Sequence, residues 1–438
     1  MASLAGRLIE PIIPVRLGSS FRWLFASSLI SNVGDGIALA AGPLLVASQS
    51  SDPFVVSLAV FAQVLPPLLF GIVAGAVADR MDRKRVVILV NLVRAMMLGL
   101  LAMTVATGTV NVPIILLSLF VLATAETFAD VAAGALLPRI VPRADLGIAN
   151  SRLQGAFLLT NQLVAPPIGA FLFVIGMALP FAADAACFAL GAVLVLKVAT
   201  RSGDAGEDAL EADTVASAAR ANGTAARSSM RTEMADGLRW LIAHPAMRTL
   251  ALTIVAFNVT FGAAFGVMVL YARDRLGMDA VGFGLITTAS AIGGLAGTAA
   301  YGRLERRFAL GDILRVGLLI ETATHLVLAI TTSPAVALVT MVVFGAHGFI
   351  WATTATTIRQ RAVPDALLGR VTGVYTVGIF AGIVVGTPIG GLLARELGIT
   401  APFWFAFVGS VVLITLLWRE LRHVAHGAEA DPASAPTG

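Results

Sequence analysis

The chain has 438 residues, of which 58% are hydrophobic and only 13% charged, against about 45–50% and about 25% in a soluble globular protein. Folded surfaces need polar cover and single cores stop growing at roughly 250–300 residues, so this composition excludes a soluble enzyme. The formal net charge of +4 comes from arginines scattered between apolar runs, without the basic stripe and interleaved aromatics of a nucleic-acid binder.

Taken in chain order, apolar runs broken by charge, Pro and Gly predict twelve membrane helices. These are spans 1–12, at about 22–48, 54–78, 86–107, 111–132, 148–176, 179–199, 247–271, 282–302, 312–332, 334–358, 367–394 and 400–419. Of the 30 Lys and Arg, 26 fall in the two termini and every second loop or at the span ends adjoining them, three (Arg273, Arg275, Arg395) in the alternate loops, and Arg94 inside span 3. Positive charge stays on the cytoplasmic side, so both termini are expected there, in a cell inner membrane. The short N-terminus, with Arg7 and Arg16 ahead of a full-length span, predicts no cleaved signal. The lone Cys187 allows neither a disulfide framework nor a Cys-based metal site.

Residues 200–228 are rich in Ala, Gly, Ser, Asp and Arg without apolar periodicity and read as a linker. After it, Met234, Leu238, Leu241 and Ile242 recur at helical spacing ahead of His244-Pro245, predicting an amphipathic helix on the cytoplasmic membrane surface. The expected organisation is a cytoplasmic N-terminus (1–21), an N-terminal six-helix bundle (22–199), a cytoplasmic linker with the amphipathic helix (200–246), a C-terminal six-helix bundle (247–419) and a cytoplasmic disordered tail (420–438).

The halves repeat. A shift of 222 residues, without a gap, lays Gly71 and Gly75 on Gly293 and Gly297. It also lays Arg139, Pro142, Leu146 and Gly147 on Arg361, Pro364, Leu368 and Gly369, and Pro166 and Gly169 on Pro388 and Gly391. A parallel 6+6 repeat is a transporter architecture.

The loop after span 2 reads G-A-V-A-D-R-M-D-R-K-R, Gly75 to Arg85. It resembles the major facilitator superfamily signature G-x-x-x-D-R-x-G-R-[RK], with Asp82 where the pattern has Gly. Its counterpart, Gly297 to Arg307, has Tyr301 in place of Asp79. Gly71 and Gly75 are expected to let span 2 approach a neighbour closely, and Asp79 can accept backbone N–H bonds at a facing helix N-terminus. The resemblance implies that this helix is span 11 and that Gly75, Asp79, Arg80 and Arg83 form a latch of the cytoplasmic gate. The alternative is a solvated loop that only sets topology, and Lys84 and Arg85 are read that way.

Four further strings, S-N-V-G-D-G (Ser31–Gly36), A-L-L-P-R-I-V-P (Ala135–Pro142), G-L-R-W-L-I-A-H-P (Gly237–Pro245) and A-I-G-G-L-A-G (Ala291–Gly297), are similar to the drug:proton antiporter-3 branch, which holds macrolide effluxers and the enterobactin exporter. That resemblance runs from about Phe21 to Trp418. It implies the major facilitator fold, an all-α polytopic membrane protein with twelve transmembrane helices in two six-helix bundles. It also implies export of a bulky amphipathic compound in exchange for protons. A-P-P-I-G-A in span 5 is similar to the G-P-x-x-G antiporter motif and G-T-P-I-G-G repeats it in span 11, so Pro166, Gly169, Pro388 and Gly391 are either antiporter-motif residues or a packing kink.

Each ionisable group inside a membrane helix costs at least about 2.5–3.5 kcal/mol and faces a cavity or a partner. Asp35 in span 1 and Glu126 in span 4 both fall ~18–20 Å from the inner face at 1.5 Å per residue. Asp130 lies one turn below Glu126 on the same face, at the depth of Arg94, so Arg94–Asp130 is the expected structural pair and Glu126 and Asp35 are left freer to titrate. A buried carboxyl can load a proton at one face and release it at the other when its surroundings change. The bland alternative has Asp35 capping a break at Gly34–Gly36 and Glu126 bonded to a neighbouring helix. The span-4 Arg common in proton antiporters of the superfamily has no match. Glu321 and His325, at i, i+4 on span 9, read as a supporting charge pair or a relay.

Because the resemblance implies that spans 1, 4, 7 and 10 line the cavity, Asn258, Phe261, His347 and Trp351 are the substrate candidates beside Asp35 and Glu126. Phe and Trp suit an apolar ligand; packing is the alternative for Phe261 and His347. His423 and His426 cannot fill a metal site by themselves, and no nucleotide-binding loop is present.

The expected function is secondary active export of a drug-like compound or siderophore-like metabolite by proton antiport and alternating access. Its partners are the small-molecule substrate, protons and the lipid bilayer, with no nucleic acid, cofactor or metal, and it acts as a monomer. A proton-linked importer or facilitator of a metabolite is the alternative within transport. A lipid flippase or polytopic membrane enzyme is the alternative outside it, though the clustered ligands an enzyme needs are missing.

Overall fold

The structure, a computed structural model, describes residues 15–199 and 230–426; the linker expected at 200–228, the residues before 15 and those after 426 lie outside the described residues. Among the described residues, twelve helices are long and apolar enough to cross a membrane. A chain in hydrocarbon must satisfy its own backbone groups, and a helix does so within one segment. The helices are α1 Gly18–Gln49, α2 Pro53–Arg80, α3 Arg83–Ala106, α4 Val112–Leu136, a composite α5, α6 Leu179–Leu196, α7 Pro245–Phe265, α8 Ala280–Arg307, α9 Leu310–Ile330, α10 Pro334–Ala362, α11 Asp365–Leu397 and α12 Ala401–His426. Each corresponds to the predicted span of the same number. At the end of α12, Leu421 is fully buried and Arg315 Nε donates to Trp418 O at 2.8 Å, so residues 420–426, read above as the start of the tail, continue the helix.

The chain divides into two compact units, Met1–Ala41 with Leu69–Ser229, and Gly42–Leu68 with Met230–Gly438. In the first unit α3 packs against α4 and α6. α5 consists of an α-helical Leu146–Phe157, a π-helical Leu158–Val164 and an α-helical Ala165–Ile175. Pro166 and Pro167 remove two successive N–H donors, and the helix answers with one wider turn, closed by Ala165 N–H donating to Thr160 O. At this point α5 meets α1: a side chain at Gly36 would strike Asn161 O and Ala165 Cβ, and one at Gly169 would strike the Ile37 backbone.

The loop between α2 and α3 explains the departure at Asp82. Its carboxylate accepts from Lys84 N at 2.9 Å and Arg85 N at 3.2 Å, making it the N-cap of α3. Lys84 Nζ donates to Leu196 O and Val198 O, satisfying carbonyls at the end of α6. Asp82→Ala is expected to lower stability by about 1 kcal/mol, and Asp82→Gly by only a few tenths, measured as apparent melting temperatures of the purified protein.

In the second unit α7 pairs with α11 and α12, α8 with α10, and α9 with α10 and α12. Two glycine seams set these distances. Gly378, Gly382, Gly386 and Gly390 recur every four residues along α11 and face Val255, Asn258, Val259 and Ala263 of α7. Gly293 and Gly297 of α8 lie on the backbone of Val342 and Ala346 of α10. Their first-half counterparts do not behave alike: a side chain at Gly71 or Gly75 would meet nothing within 4 Å. The close approach expected of that pair is therefore made by the second-half copy.

The amphipathic helix is Met230–Ala243. Leu241 joins a buried cluster with Met247, Leu250, Val371 and Leu421, and a side chain at Gly237 would lie 2.9 Å from the Arg370 backbone. Leu238 and Ile242 stay exposed. An apolar cavity of about 540 Å³ lies between this helix, α7 and α11.

Candidate functional site

In the first unit, four carboxyls gather around one guanidinium. Arg94 on α3 is 5% exposed, its guanidinium is stacked 3.8 Å over the Phe188 ring of α6, and it pairs with Asp35 of α1. Glu126 Oε2 of α4 lies 4.0 Å from the same nitrogen, with its side chain 45% exposed. Asp184 of α6 is 1% exposed and its Oδ1 has no hydrogen-bond partner. Asp130 is an electrostatic neighbour of Arg94 as well, but it is exposed.

The Arg94–Asp130 pair expected from depth is thus replaced by Arg94–Asp35. Stacking on Phe188 turns the guanidinium toward α1, and depth carries no information about that rotation. α1 runs unbroken through Gly34 and Gly36, so Asp35 does not cap a helix break. The two glycines instead admit neighbours: Gly34 faces the Asp184 carboxyl and Gly36 faces α5. Sequence reasoning missed Asp184, although one acid inside the apolar run of span 6 carried the same signal as Asp35.

In the second unit, Glu321 on α9 is 1% exposed and bridges two buried histidines. Its Oε1 lies 2.7 Å from His325 Nε2 and its Oε2 2.9 Å from His347 Nε2. His347 touches an aromatic surface built by α7 and α10. Phe257 stacks on Trp351 at 6.3 Å, Phe261 on Phe265 at 4.2 Å and Phe265 on Phe344 at 5.4 Å. The edge of His347 meets Phe344 at 5.6 Å and Phe257 at 6.5 Å. These rings recur because positions 257, 261 and 265, and likewise 347 and 351, are four apart on their helices. Three of the substrate candidates, Phe261, His347 and Trp351, share this surface. Asn258 lies apart, its Nδ2 donating to Ile254 O and its Cβ against Gly382 in the glycine seam.

Of the expected latch residues, Gly75 is partly buried, Arg80 exposed and Arg83 partly buried, with the Arg83 Nε atom lacking a partner; the Asp79 side chain lies outside the described residues. Pro166 and Gly169 form the α1–α5 approach. Pro388 sits inside an unbroken α11, and Gly391 packs against Phe54 and Ser57. No group of three or more His, Cys, Asp or Glu placed to hold a metal ion occurs among the described residues. His423 and His426 have side chains outside them.

A family model described as transmembrane secretion effector, within the major facilitator superfamily, matches residues 10–435. The chain belongs to this family. It is a multi-pass membrane transporter of small molecules and not an enzyme. Relatives called multidrug efflux pump Tap include one from Mycolicibacterium fortuitum, 27% identical over 397 residues and covering 87% of this chain and 90% of that protein. Another, from Mycobacterium tuberculosis, is 27% identical over 431 residues, 94% of this chain and 96% of its own. Among solved structures, the nucleoside transporter NupG superposes with a TM-score of 0.69 at 13% identity, over 93% of this chain and 99% of that one. A bacterial homologue of the iron transporter ferroportin, in an inward-facing state, superposes with 0.70 at 17%, over 92% and 98%. At such identities the structures speak for the major facilitator fold alone.

Proposed function

We propose that this transporter exports hydrophobic or amphipathic drug-like compounds in exchange for protons, by alternating access, as a monomer in the cytoplasmic membrane with both termini in the cytoplasm. In this reading residues 22–199 and 247–419 are the two repeated bundles, joined through 200–246. The observation that carries proton exchange is the cluster of Asp35, Glu126, Asp130 and Asp184 around the single cation Arg94. An apolar unit that holds more acids than it can neutralise holds protons as well, and it can give them up when its surroundings change. Glu126 is the best placed to exchange, being near Arg94 yet half open, while Asp35 is tied to the guanidinium. The aromatic surface around Phe257, Phe261, Phe344 and Trp351 supplies flat, polarisable contacts for a bulky apolar or cationic compound. The relatives called multidrug efflux pumps support that choice of cargo.

Everted membrane vesicles test the exchange. Adding a lipophilic cation to energised vesicles is expected to dissipate a quinacrine-sensed pH gradient. Glu126→Gln is expected to abolish that response while leaving the protein inserted and able to bind the cation, and an unchanged response would remove Glu126 from the mechanism.

A further inference from the structure

The Glu321–His325–His347 triad belongs to the second unit and takes no part in the exchange proposed for the acid cluster. Both histidines direct Nε2 at the Glu321 carboxylate, so each donates Nε2–H and each leaves Nδ1 as its remaining nitrogen. Both Nδ1 atoms are buried without a partner. With two neutral imidazoles the buried triad is an uncompensated anion; with one imidazolium it is neutral overall. The arrangement therefore has a vacancy for one proton and two nitrogens that can take it. They differ in access. His325 is wholly buried, whereas His347 lines a cavity of about 300 Å³ with Gly317, Ile313, Ile320 and, farther along α9, Asp312. A side chain at Gly317 would lie 3.4 Å from His347 Nδ1 and 2.7 Å from Trp351 Cδ1, so that nitrogen and the indole edge share the space above this glycine.

The groups acting on the Glu321 carboxylate are His325 and His347. On α9 the next charged side chains are Asp312 and Arg315, paired at 3.5 Å. α7 and α8 bring Phe257 and Leu304 to this region. The charged residues of α12 begin at Arg419, level with Arg315, which bonds Trp418 O. Those of α10 begin at Arg359, twelve residues or ~18 Å along the helix from His347.

We propose that Glu321, His325 and His347 form a second proton-binding site, filled through His347 Nδ1, and that its proton competes with an aromatic or cationic compound for the Phe257–Phe344–Trp351 surface. The competition rests on the reading of that surface as the compound's contact; the proton site does not. Loading the site places an imidazolium beside Phe257 and Phe344, and its positive charge repels a cationic compound from the same rings.

The full chain in detergent, without any compound, tests the site itself. The emission of Trp351, taken as the difference between the native protein and Trp351→Phe, is expected to follow a one-proton transition. His347→Gln keeps a donor to Glu321 but cannot be protonated, and it must abolish the transition; Glu321→Gln removes the counter-charge and moves the midpoint toward acid. Persistence of the transition in His347→Gln overturns the proposal. If that variant does not fold, native protein labelled with 15N-histidine carries the test. One buried ring must pass from neutral to imidazolium, and two invariant buried rings overturn the site. The competition is read with rhodamine 6G, whose affinity should fall up to tenfold per pH unit below the midpoint, the limit for one competing proton. A pH-dependent Trp351 emission with pH-independent dye binding would retain the proton site and overturn the competition.

Discussion

Arg94→Met is expected to destabilise the first unit by about 3–5 kcal/mol, the cost of leaving a buried charge without its partner, and to abolish transport. Among the described residues the guanidinium is the cation acting on Asp35, and it acts likewise on Asp130 and Asp184. Removing it leaves Asp35 inside the unit with three other acids for neighbours. The variant should appear as a large loss of monodisperse protein after detergent extraction and a lower apparent melting temperature. Arg94→Lys keeps the charge but loses the planar stack on Phe188, so it should fall between the two. A second substitution in Arg94→Met, Asp35→Asn, should recover part of the folded protein without restoring transport. Native yield and melting of Arg94→Met alone would show that the acids are held by something other than this cation.

Gly390→Val is expected to cost the second unit 1–3 kcal/mol or more, because overpacking against fixed atoms cannot relax. A side chain at 390 would lie 2.6 Å from Ala263 C and Cα, which are backbone atoms of α7. Gly373, on the same helix, is the control: a side chain there meets nothing within 4 Å. Gly373→Ala should be neutral or stabilising by up to about 1 kcal/mol through helix propensity. Melting curves of both variants in one detergent decide it, and equal behaviour would deny that the seam sets the α7–α11 distance.

The two halves show where a repeat in sequence stops being a repeat in structure. Pro166 and Gly169 align with Pro388 and Gly391, yet the first pair follows a π-helical turn and the second lies in an unbroken helix. The first copy has two adjacent prolines and loses two donors, while the second loses one. Gly71 and Gly75 align with Gly293 and Gly297, but only the second pair is pressed against a neighbouring backbone. Matching residues license a close approach; whether it happens depends on which helix lies alongside. Asp82, an exception to the loop pattern, is explained locally as the cap of α3.

Hydrophobic excess, twelve runs of membrane length, the internal repeat and the isolated acids in apolar runs were all written in the order of residues. Lipid leaves a chain so composed few choices, since each run must satisfy its own backbone and each buried charge must find a partner. Partner choice was not written there. Arg94 reaches Asp35, 59 residues away, in preference to Asp130, and Glu321 joins His347, 26 residues away, as well as the His325 on its own helix. Such pairings depend on how each helix is rotated about its axis, which glycine seams and aromatic stacks settle only when the helices pack.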